Sequence, residues 1–211
     1  MRVLIFSGGN LDTVALTYIK DDDYIIGVDR GAYFLYSHKA KMNLAIGDFD
    51  SVTYEQANEI RSYANETIAC DPINKDESDT EMAFNYAIKL NPTEILLFGV
   101  LGSRFDHSIA NIHLLYKGLQ AGICCTIIGK MNKIQLTANT ITITKDDFQY
   151  VSLLPLFSEV HGITLNGFQY PLHNASLKIG DSLGISNVLT DSNGRISISS
   201  GVLVVIQSKD C

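Results

Sequence analysis

The sequence predicts an α/β amino-terminal domain with a mostly parallel sheet, followed by an all-β, sandwich-like carboxy-terminal domain. Through residue 130, short apolar runs alternate with segments that are long enough for helices, a pattern typical of parallel strands covered by helices. From residue 131 onward, short β-branched runs are separated by Gly, Asn and Pro, which is typical of a small sandwich or barrel. The expected domains are therefore residues 1–130 and 131–211.

Six apolar runs predict the strands of the first domain: Arg2–Phe6, Tyr24–Val28, Leu44–Ile46, Glu66–Cys70, Glu94–Phe98 and Ile123–Ile128. Two helices are clearly marked between them. The segment SDTEMAFNYAIKL opens with a capping box formed by Ser78 and Glu81. The segment DHSIANIHLLYKGLQAG is expected to end at Gly122 and to have one apolar face, made of Ile109, Ile112, Tyr116 and Leu119.

The second domain contains a strong turn signal. Asn193-Gly194 lies beside a β-branched run, and this pair favours a two-residue hairpin because both positions tolerate positive φ. We therefore expect a tight hairpin at these residues.

The net charge of the chain limits the classes of partner that it can bind. With 23 acidic residues against 16 basic ones and a net charge of −7, the chain has no basic run that could follow a phosphate backbone. Nucleic acid and anionic membranes are therefore not expected partners.

The four cysteines lack the spacing of a zinc site or a disulfide framework, and the first apolar run is too short for a signal peptide or a membrane span. A cytoplasmic protein is expected.

Polar and glycine residues follow several of the predicted strands directly. Gly8-Gly9 follows the first strand, Asp29 the second, and Gly99 the fifth. Because ligands in open parallel sheets bind outside the carboxyl ends of the strands, these residues are expected to border one site.

Asp48 and Asp50 follow the third strand in the segment AIGDFDSV. In an extended segment, residues two apart face the same side, so the two carboxylates are expected to share one divalent cation, most simply Mg²⁺. The alternative is an aspartate-rich turn or Asx cap without a metal.

A second acidic group, Asp76, Asp79 and Glu81, stands at the start of a predicted helix. Acidic residues at that position also stabilise the helix dipole, so a purely structural role is an open alternative. Together the two acidic groups would supply three or four oxygen ligands, which favours the metal site.

The segment GVLGSRFDHSIAN has the features of a phosphate-binding turn. Gly99 and Gly102 allow close backbone approach, Arg104 offers several donors, and a helix begins near Asp106. A glycine turn without a ligand is the alternative. Asp29 and Arg30 lie where a ribose or phosphate would contact the second strand, with a structural role equally open.

Ser186 and Asn187, in the second domain, offer a hydroxyl and an amide that would orient a heterocycle, although the segment alone is typical of a turn.

In their order along the chain, these motifs resemble those of the thiamine pyrophosphokinase family. The resemblance covers nearly the whole chain and rests on Gly47-Asp48-Phe49-Asp50-Ser51, Lys75-Asp76-x-Ser78-Asp79-x-Glu81, Gly99-x-x-Gly102-x-Arg104-x-Asp106-His107 with Ala110-Asn111, and Ser186-Asn187. It implies an enzyme that transfers a diphosphate group from ATP to the hydroxyl of thiamine, giving thiamine diphosphate and AMP with Mg²⁺ present. It also implies a homodimer whose β-rich half binds thiamine.

The resemblance also implies roles for individual residues. Magnesium would be held by Asp48, Asp50 and Asp79, and the catalytic residues would be Asp76, beside the metal, and Arg104. ATP would contact Gly8, Asp29, Arg30, Gly99, Gly102 and Arg104, and thiamine would contact Asp106, Ser186 and Asn187. The chain departs from the usual family pattern at Arg30 and Ser103, where glycine is common, and it has no Trp, so an aromatic ring stacked on thiamine would come from Tyr or Phe, such as Tyr170.

Two other functions fit the same residues. One is a magnesium-dependent kinase or phosphohydrolase acting on another small alcohol or nucleotide, which would release ADP or phosphate rather than AMP. The other is a non-catalytic nucleotide sensor, although binding ATP alone needs fewer carboxylates than this chain gathers.

Overall fold

The computed structural model describes residues 1–69 and 76–210; Cys70, Lys75 and Cys211 therefore lie outside the described residues. The chain forms two compact units, one over Met1–Lys130 and one that begins at Met131. None of the described helices combines the length and the apolar composition needed to cross a membrane.

The first unit is a parallel sheet with helices. Its strands are β1 (Arg2–Phe6), β2 (Tyr24–Val28), β3 (Leu44–Gly47), β4 (Glu66–Ala69), β5 (Glu94–Phe98) and β6 (Cys124–Ile128); its helices are a 3₁₀ helix (Thr13–Tyr18), α1 (Arg30–Ser37), α2 (Tyr54–Tyr63), α3 (Asp79–Lys89) and α4 (Phe105–Gln120). The strands pair in parallel in the order β4-β3-β2-β1-β5-β6. From β1 the chain moves outward to β4 and then returns to the other side of β1, so the strand order reverses between β1 and β5.

Burial explains why the central strands are continuous apolar runs. Val3, Leu4, Ile5 and Phe6 of β1 are all fully buried, although successive residues of a strand face opposite sides of the sheet. Both faces of the sheet are therefore covered, as in other parallel sheets flanked by helices.

The second unit is a sandwich of antiparallel strands. These are β7 (Asn132–Thr137), β8 (Thr140–Thr144), β9 (Tyr150–Pro155), β10 (Glu159–Asn166), β11 (Ala175–Lys178), β12 (Asn193–Ser197) and β13 (Leu203–Ser208). Within this unit, β13 pairs with β7 and β9, and the other strands form a sheet in the order β11-β10-β12-β8. Alternate side chains such as Leu153 and Val205 pack with Ile163 and Ile196 of the second sheet in one buried cluster. The predicted fold class, α/β followed by an all-β sandwich, is confirmed.

The predicted apolar face of α4 is not the buried one. The helix buries Ser108, Asn111, Leu114, Leu115 and Gly118, whereas Ile109 is exposed. Two contacts explain the difference: the Asn111 side chain bonds to the backbone of the loop after β5, and Gly118 lies so close to the Cys125 side chain that a larger residue would collide with it. The predicted end of the helix is confirmed, because Gly122 has φ +71° directly after the last turn.

The predicted hairpin at Asn193-Gly194 is wrong. Both residues belong to β12, which pairs with β8 and β10, and neither has positive φ. Gly194 is required for another reason: a Cβ at this position would overlap the side chains of Leu189 and Phe168. The glycine therefore allows close packing within the sandwich.

Candidate active site

A cavity of about 550 Å³ lies at the carboxyl ends of β1, β2 and β5, where the strand order reverses. Its walls include all the predicted ATP contacts: Gly8, Asp29, Arg30, Gly99, Gly102 and Arg104. This is the position at which open parallel sheets bind ligands.

Two backbone segments meet at the floor of this cavity. The Gly9 N–H donates to the Gly99 carbonyl at 2.7 Å, and the Asn10 N–H donates to the Leu101 carbonyl at 3.1 Å. Gly99 has φ +65°, and a Cβ there would overlap the carbonyl oxygen of Ser7. Only glycine permits this approach of the loops after β1 and β5.

Three carboxylates converge beside these loops. Asp29, Asp48 and Asp79 each place a carboxylate oxygen within 4.8 Å of the other two, and all three residues are half-buried. Mg²⁺ binds oxygens at about 2.0–2.1 Å, which sets neighbouring ligand oxygens about 3–4 Å apart. The three carboxylates therefore fit a hard divalent cation after small side-chain movements.

Local backbone conformations place these carboxylates. Asp29 directly follows β2 and has φ +48°, and its carboxylate accepts the N–H of Phe49 at 3.2 Å. Gly47 leaves room for that carboxylate, since a Cβ at Gly47 would overlap it. Asp79 is the first residue of α3, which Ser78 caps by accepting the Glu81 N–H at 3.2 Å.

The electrostatics of the cluster also favour a bound cation. Burial raises the pKa of Asp29 from 3.8 to about 7, and repulsion from Asp79, Asp48 and Asp50 adds to the rise, while the hydrogen bond from Phe49 opposes it. The cause is negative charge crowded into a site that water reaches poorly. A cation would remove most of that cost.

The expectation of an extended segment at Asp48 and Asp50 is wrong. Phe49 between them is buried with φ +59°, and the Asp50 N–H donates to an Asp48 carboxylate oxygen at 3.1 Å. The segment is thus the Asx turn that the sequence left open as an alternative. The turn leaves Asp48 in the cluster and Asp50 exposed outside it.

Asp29 takes the place in the cluster that was expected for Asp50. The strand register explains this: β2 and β3 are neighbours, and Val28 pairs with Ile46. The residues that follow this pair, Asp29 on one strand and Gly47-Asp48 on the other, must therefore lie at the same edge of the sheet.

The remaining acidic residues at this edge lie outside the cluster. Asp76 is exposed ahead of α3. Glu81 forms an ion pair with Lys117 of α4 at 2.6 Å, which ties the two helices together. Glu81 therefore has a structural role in this fold.

Arg104 and Asp106 contact each other. Both side chains are exposed, and the guanidinium donates to both Asp106 carboxylate oxygens, at 2.5 and 3.3 Å. The hydrogen bond to Arg104 lowers the pKa of Asp106. Arg104 and the exposed His107 line the cavity, but the predicted phosphate contact and the predicted thiamine contact are paired with each other in this state.

Two buried polar residues of α4 hold the glycine turn. Ser108 accepts the N–H of Gly102 at 3.2 Å, and Asn111 donates to the carbonyl of Val100 at 2.9 Å. No role was predicted for Ser108 from the sequence. A polar residue on the buried side of a helix that follows a glycine turn is the signal that would have identified it.

Ser186 and Asn187 lie in the second unit and differ in how far they are exposed to solvent. Ser186 is exposed with φ +58°. Asn187 is buried, and its amide bonds to both backbone groups of Tyr170, accepting from the N–H at 3.0 Å and donating to the carbonyl at 2.7 Å. Asn187 thus fixes the backbone beneath the exposed ring of Tyr170.

Comparison with known proteins gives one family for both units. The model of the thiamin pyrophosphokinase catalytic domain matches residues 15–127, and the model of the thiamin pyrophosphokinase vitamin B1 binding domain matches residues 138–203. Thiamine pyrophosphokinase of Bacillus subtilis (strain 168) is 36% identical over 210 residues, which cover 98% of each protein.

Solved structures agree with this result. The crystal structure of thiamine pyrophosphokinase from Bacillus subtilis matches with a TM-score of 0.93 at 34% identity and covers 100% of both chains. The enzyme from Geobacillus thermodenitrificans matches with a TM-score of 0.89 at 33% identity, covering 100% of this chain and 98% of that one. The chain therefore belongs to the thiamine pyrophosphokinase family, whose enzymes transfer a diphosphate group from ATP to thiamine.

Proposed function

We propose that this chain performs the family reaction with Mg²⁺ held by Asp29, Asp48 and Asp79. The observation that carries the proposal is the convergence of these three carboxylates beside a glycine-lined cavity where the strand order reverses. A triphosphate needs both features, since backbone and arginine donors bind its oxygens and a cation offsets its charge. Asp50, the last residue of the Asx turn, stays a predicted ligand.

The phosphates are proposed to lie along the loops after β1 and β5. Gly8 and Gly102 line the cavity, and a Cβ at Gly102 would meet nothing within 4 Å, so this position leaves space that a phosphate can use. Arg30 and Arg104 also line the cavity and supply positive charge in a chain whose net charge is −7.

The chemistry requires the thiamine hydroxyl to attack the β-phosphorus in line while AMP leaves. The cation, when bound, supplies positive charge that offsets the charge on the non-bridging oxygens. The chain itself positions the groups: the two loops fix the triphosphate, and Arg104, released from Asp106, binds the transferred diphosphate. Asp76 is proposed to orient the hydroxyl and to accept its proton as the new O–P bond forms, a role that needs little basicity when the transition state is loose.

Thiamine is proposed to contact Asp106 and Ser186 directly, with Asn187 acting through Tyr170. The amide of Asn187 is committed to the backbone of Tyr170, so its contribution would be to hold Tyr170 for stacking on the thiamine ring. Ser186, which is exposed, would bind the heterocycle directly.

The active form is proposed to be a cytoplasmic homodimer. The second unit exposes several large apolar side chains, namely Phe157, Ile179, Leu183 and Ile185, which favours a partner surface there. Cys124 and Cys125 are free thiols, in keeping with a reducing compartment.

The proposal is tested by incubating the purified chain with ATP, Mg²⁺ and thiamine and measuring AMP and thiamine diphosphate together. Both products should form in equal amounts, and Asp29→Asn, Asp48→Asn and Asp79→Asn should each lower turnover by orders of magnitude, because each removes a ligand charge. Asp147→Asn, the same change at an exposed carboxylate of the second unit, is the control and should keep full turnover.

Formation of ADP instead of AMP would identify a kinase and contradict the proposal. Near-normal turnover in all three cluster variants would contradict the metal assignment.

A further inference from the structure

A second cavity, of about 410 Å³, adjoins the carboxylate cavity in the first unit. The two cavities share Gly8, Gly9, Arg30 and Ser51 in their walls. The remaining walls of the second cavity come from Leu11, from α1 and from the start of α2. Any ligand whose charged end lies in the first cavity can therefore extend into the second. A volume of this size is within the range that small-molecule sites occupy.

The walls of the second cavity suit a flat, neutral ring. Tyr33 and Phe34 of α1 contribute two aromatic side chains, and Leu11 and Val52 contribute aliphatic surface. Apart from Arg30, which also borders the first cavity, the described residues that line it carry no charge. Aromatic and aliphatic walls of this kind favour a heteroaromatic ring, which can stack on a side-chain ring and bury its faces.

Gln56 gives this cavity a polar group with a fixed orientation. Its carbonyl oxygen accepts the Thr53 N–H at 2.9 Å, and its own backbone N–H donates to the Thr53 hydroxyl at 3.3 Å, so that the pair forms the capping box of α2. The oxygen is thereby committed to the helix cap. The Nε2 group has no protein acceptor among the described residues, so the amide presents donors and not an acceptor to a ligand.

We propose that the second cavity holds the base of the nucleoside triphosphate and that Gln56 reads it by donating a hydrogen bond to a ring acceptor. Arg30, at the boundary of the two cavities, then lies beside the segment that joins base and phosphates. The inference rests on the proposed function, because the first cavity has to hold the triphosphate.

The test exploits the capping box. Glutamate satisfies the same cap as glutamine, so Gln56→Glu keeps the helix start while replacing the donor amide with an oxygen that can only accept. Asn58→Asp makes the same amide-to-carboxylate change at an exposed position of the same helix and controls for the added charge. Calorimetric titrations of the full chain with ATP and with inorganic triphosphate, both with Mg²⁺, separate the base from the phosphates.

We expect Gln56→Glu to weaken ATP binding about tenfold relative to Asn58→Asp and to leave triphosphate binding equal in the two variants. Thermal unfolding of both variants should match that of the wild type. Equal ATP affinity in the two variants would overturn the role of Gln56, and equal affinity of the wild type for ATP and triphosphate would overturn the base site alone. Failure of the wild type to bind either ligand would overturn the proposed function and the base site with it.

Discussion

Asp29 combines an unusual backbone conformation, a half-buried carboxyl group and a raised pKa at one position. Its φ of +48° costs energy for a residue with a side chain, and its carboxyl lies among like charges. The strained backbone and the crowded charge both result from placing a third carboxylate oxygen where β2 and β3 end together. Because neither feature stabilises the fold, they favour ligand binding as the role of Asp29. Sequence alone could not reveal this, because the alignment of Asp29 with Asp48 depends on the strand register.

The raised pKa of Asp29 predicts a pH dependence of magnesium binding. Between pH 3.8, which is its ordinary pKa, and pH about 7, the folded state holds a proton that the unfolded state has released. The metal-free protein therefore loses this stabilisation progressively as pH rises from 3.8 to about 7. Mg²⁺ competes with that proton and binds best above pH 7. The rise in Tm caused by Mg²⁺ should therefore be larger at about pH 8 than at about pH 6, where the proton is bound.

The Asp29→Asn variant identifies the group responsible. It should show a smaller Mg²⁺ effect with little difference between the two pH values, whereas Asp147→Asn should behave as the wild type. An equal Mg²⁺ effect on the wild type at both pH values would show that Asp29 does not compete with the ion.

At the scale of elements, the turn between β5 and α4 shows two glycines with different requirements. Gly99 is needed by the fold, since its φ is positive and a Cβ would overlap the Ser7 carbonyl. Gly102 has neither constraint, because its φ is not positive and a Cβ would lie in open space. The same residue type therefore serves packing at one position and leaves open space at the other.

This contrast predicts opposite outcomes for the two alanine variants. Gly99→Ala should lower the free energy of unfolding by more than about 1 kcal/mol, because the native backbone is incompatible with a Cβ. Gly102→Ala should leave that free energy within about 0.5 kcal/mol of the wild type but weaken ATP binding, since the added methyl group occupies space proposed for a phosphate. Urea unfolding and calorimetric titration measure the two effects. Unchanged ATP affinity in Gly102→Ala would place the phosphates elsewhere.

At the scale of the whole molecule, the sequence predicted the architecture better than the details of its surfaces. Apolar runs and their spacing follow from burial of the sheet on both faces. The strand positions and the fold class could therefore be predicted from the sequence. The buried face of α4, the strand at Asn193-Gly194 and the turn at Phe49 depend on tertiary contacts: the Asn111 bond to a loop, the packing of Gly194 on Phe168, and the burial of Phe49. These contacts leave no periodic signal in the chain.

Exposed apolar side chains of the second unit predict the oligomeric state. Ile179 and Leu183 expose 72% and 62% of their surface, and Phe157 and Ile185 are also exposed, so a second copy that covers them would remove apolar surface from water. Light scattering should give twice the mass of one chain. Leu183→Glu should shift the protein toward the monomer, because a carboxylate buried in an apolar interface loses its hydration without gaining a partner.

Val14→Glu is the matched control for this experiment. Val14 belongs to the first unit and is 60% exposed, so the change adds the same charge to an equally exposed apolar position outside the proposed interface. It should leave the mass at two chains. Because Leu183 and Val14 are both exposed within one chain, neither variant should lose secondary structure. A wild-type mass of one chain, or a dimer that survives Leu183→Glu as well as Val14→Glu, would exclude this surface as the contact between copies.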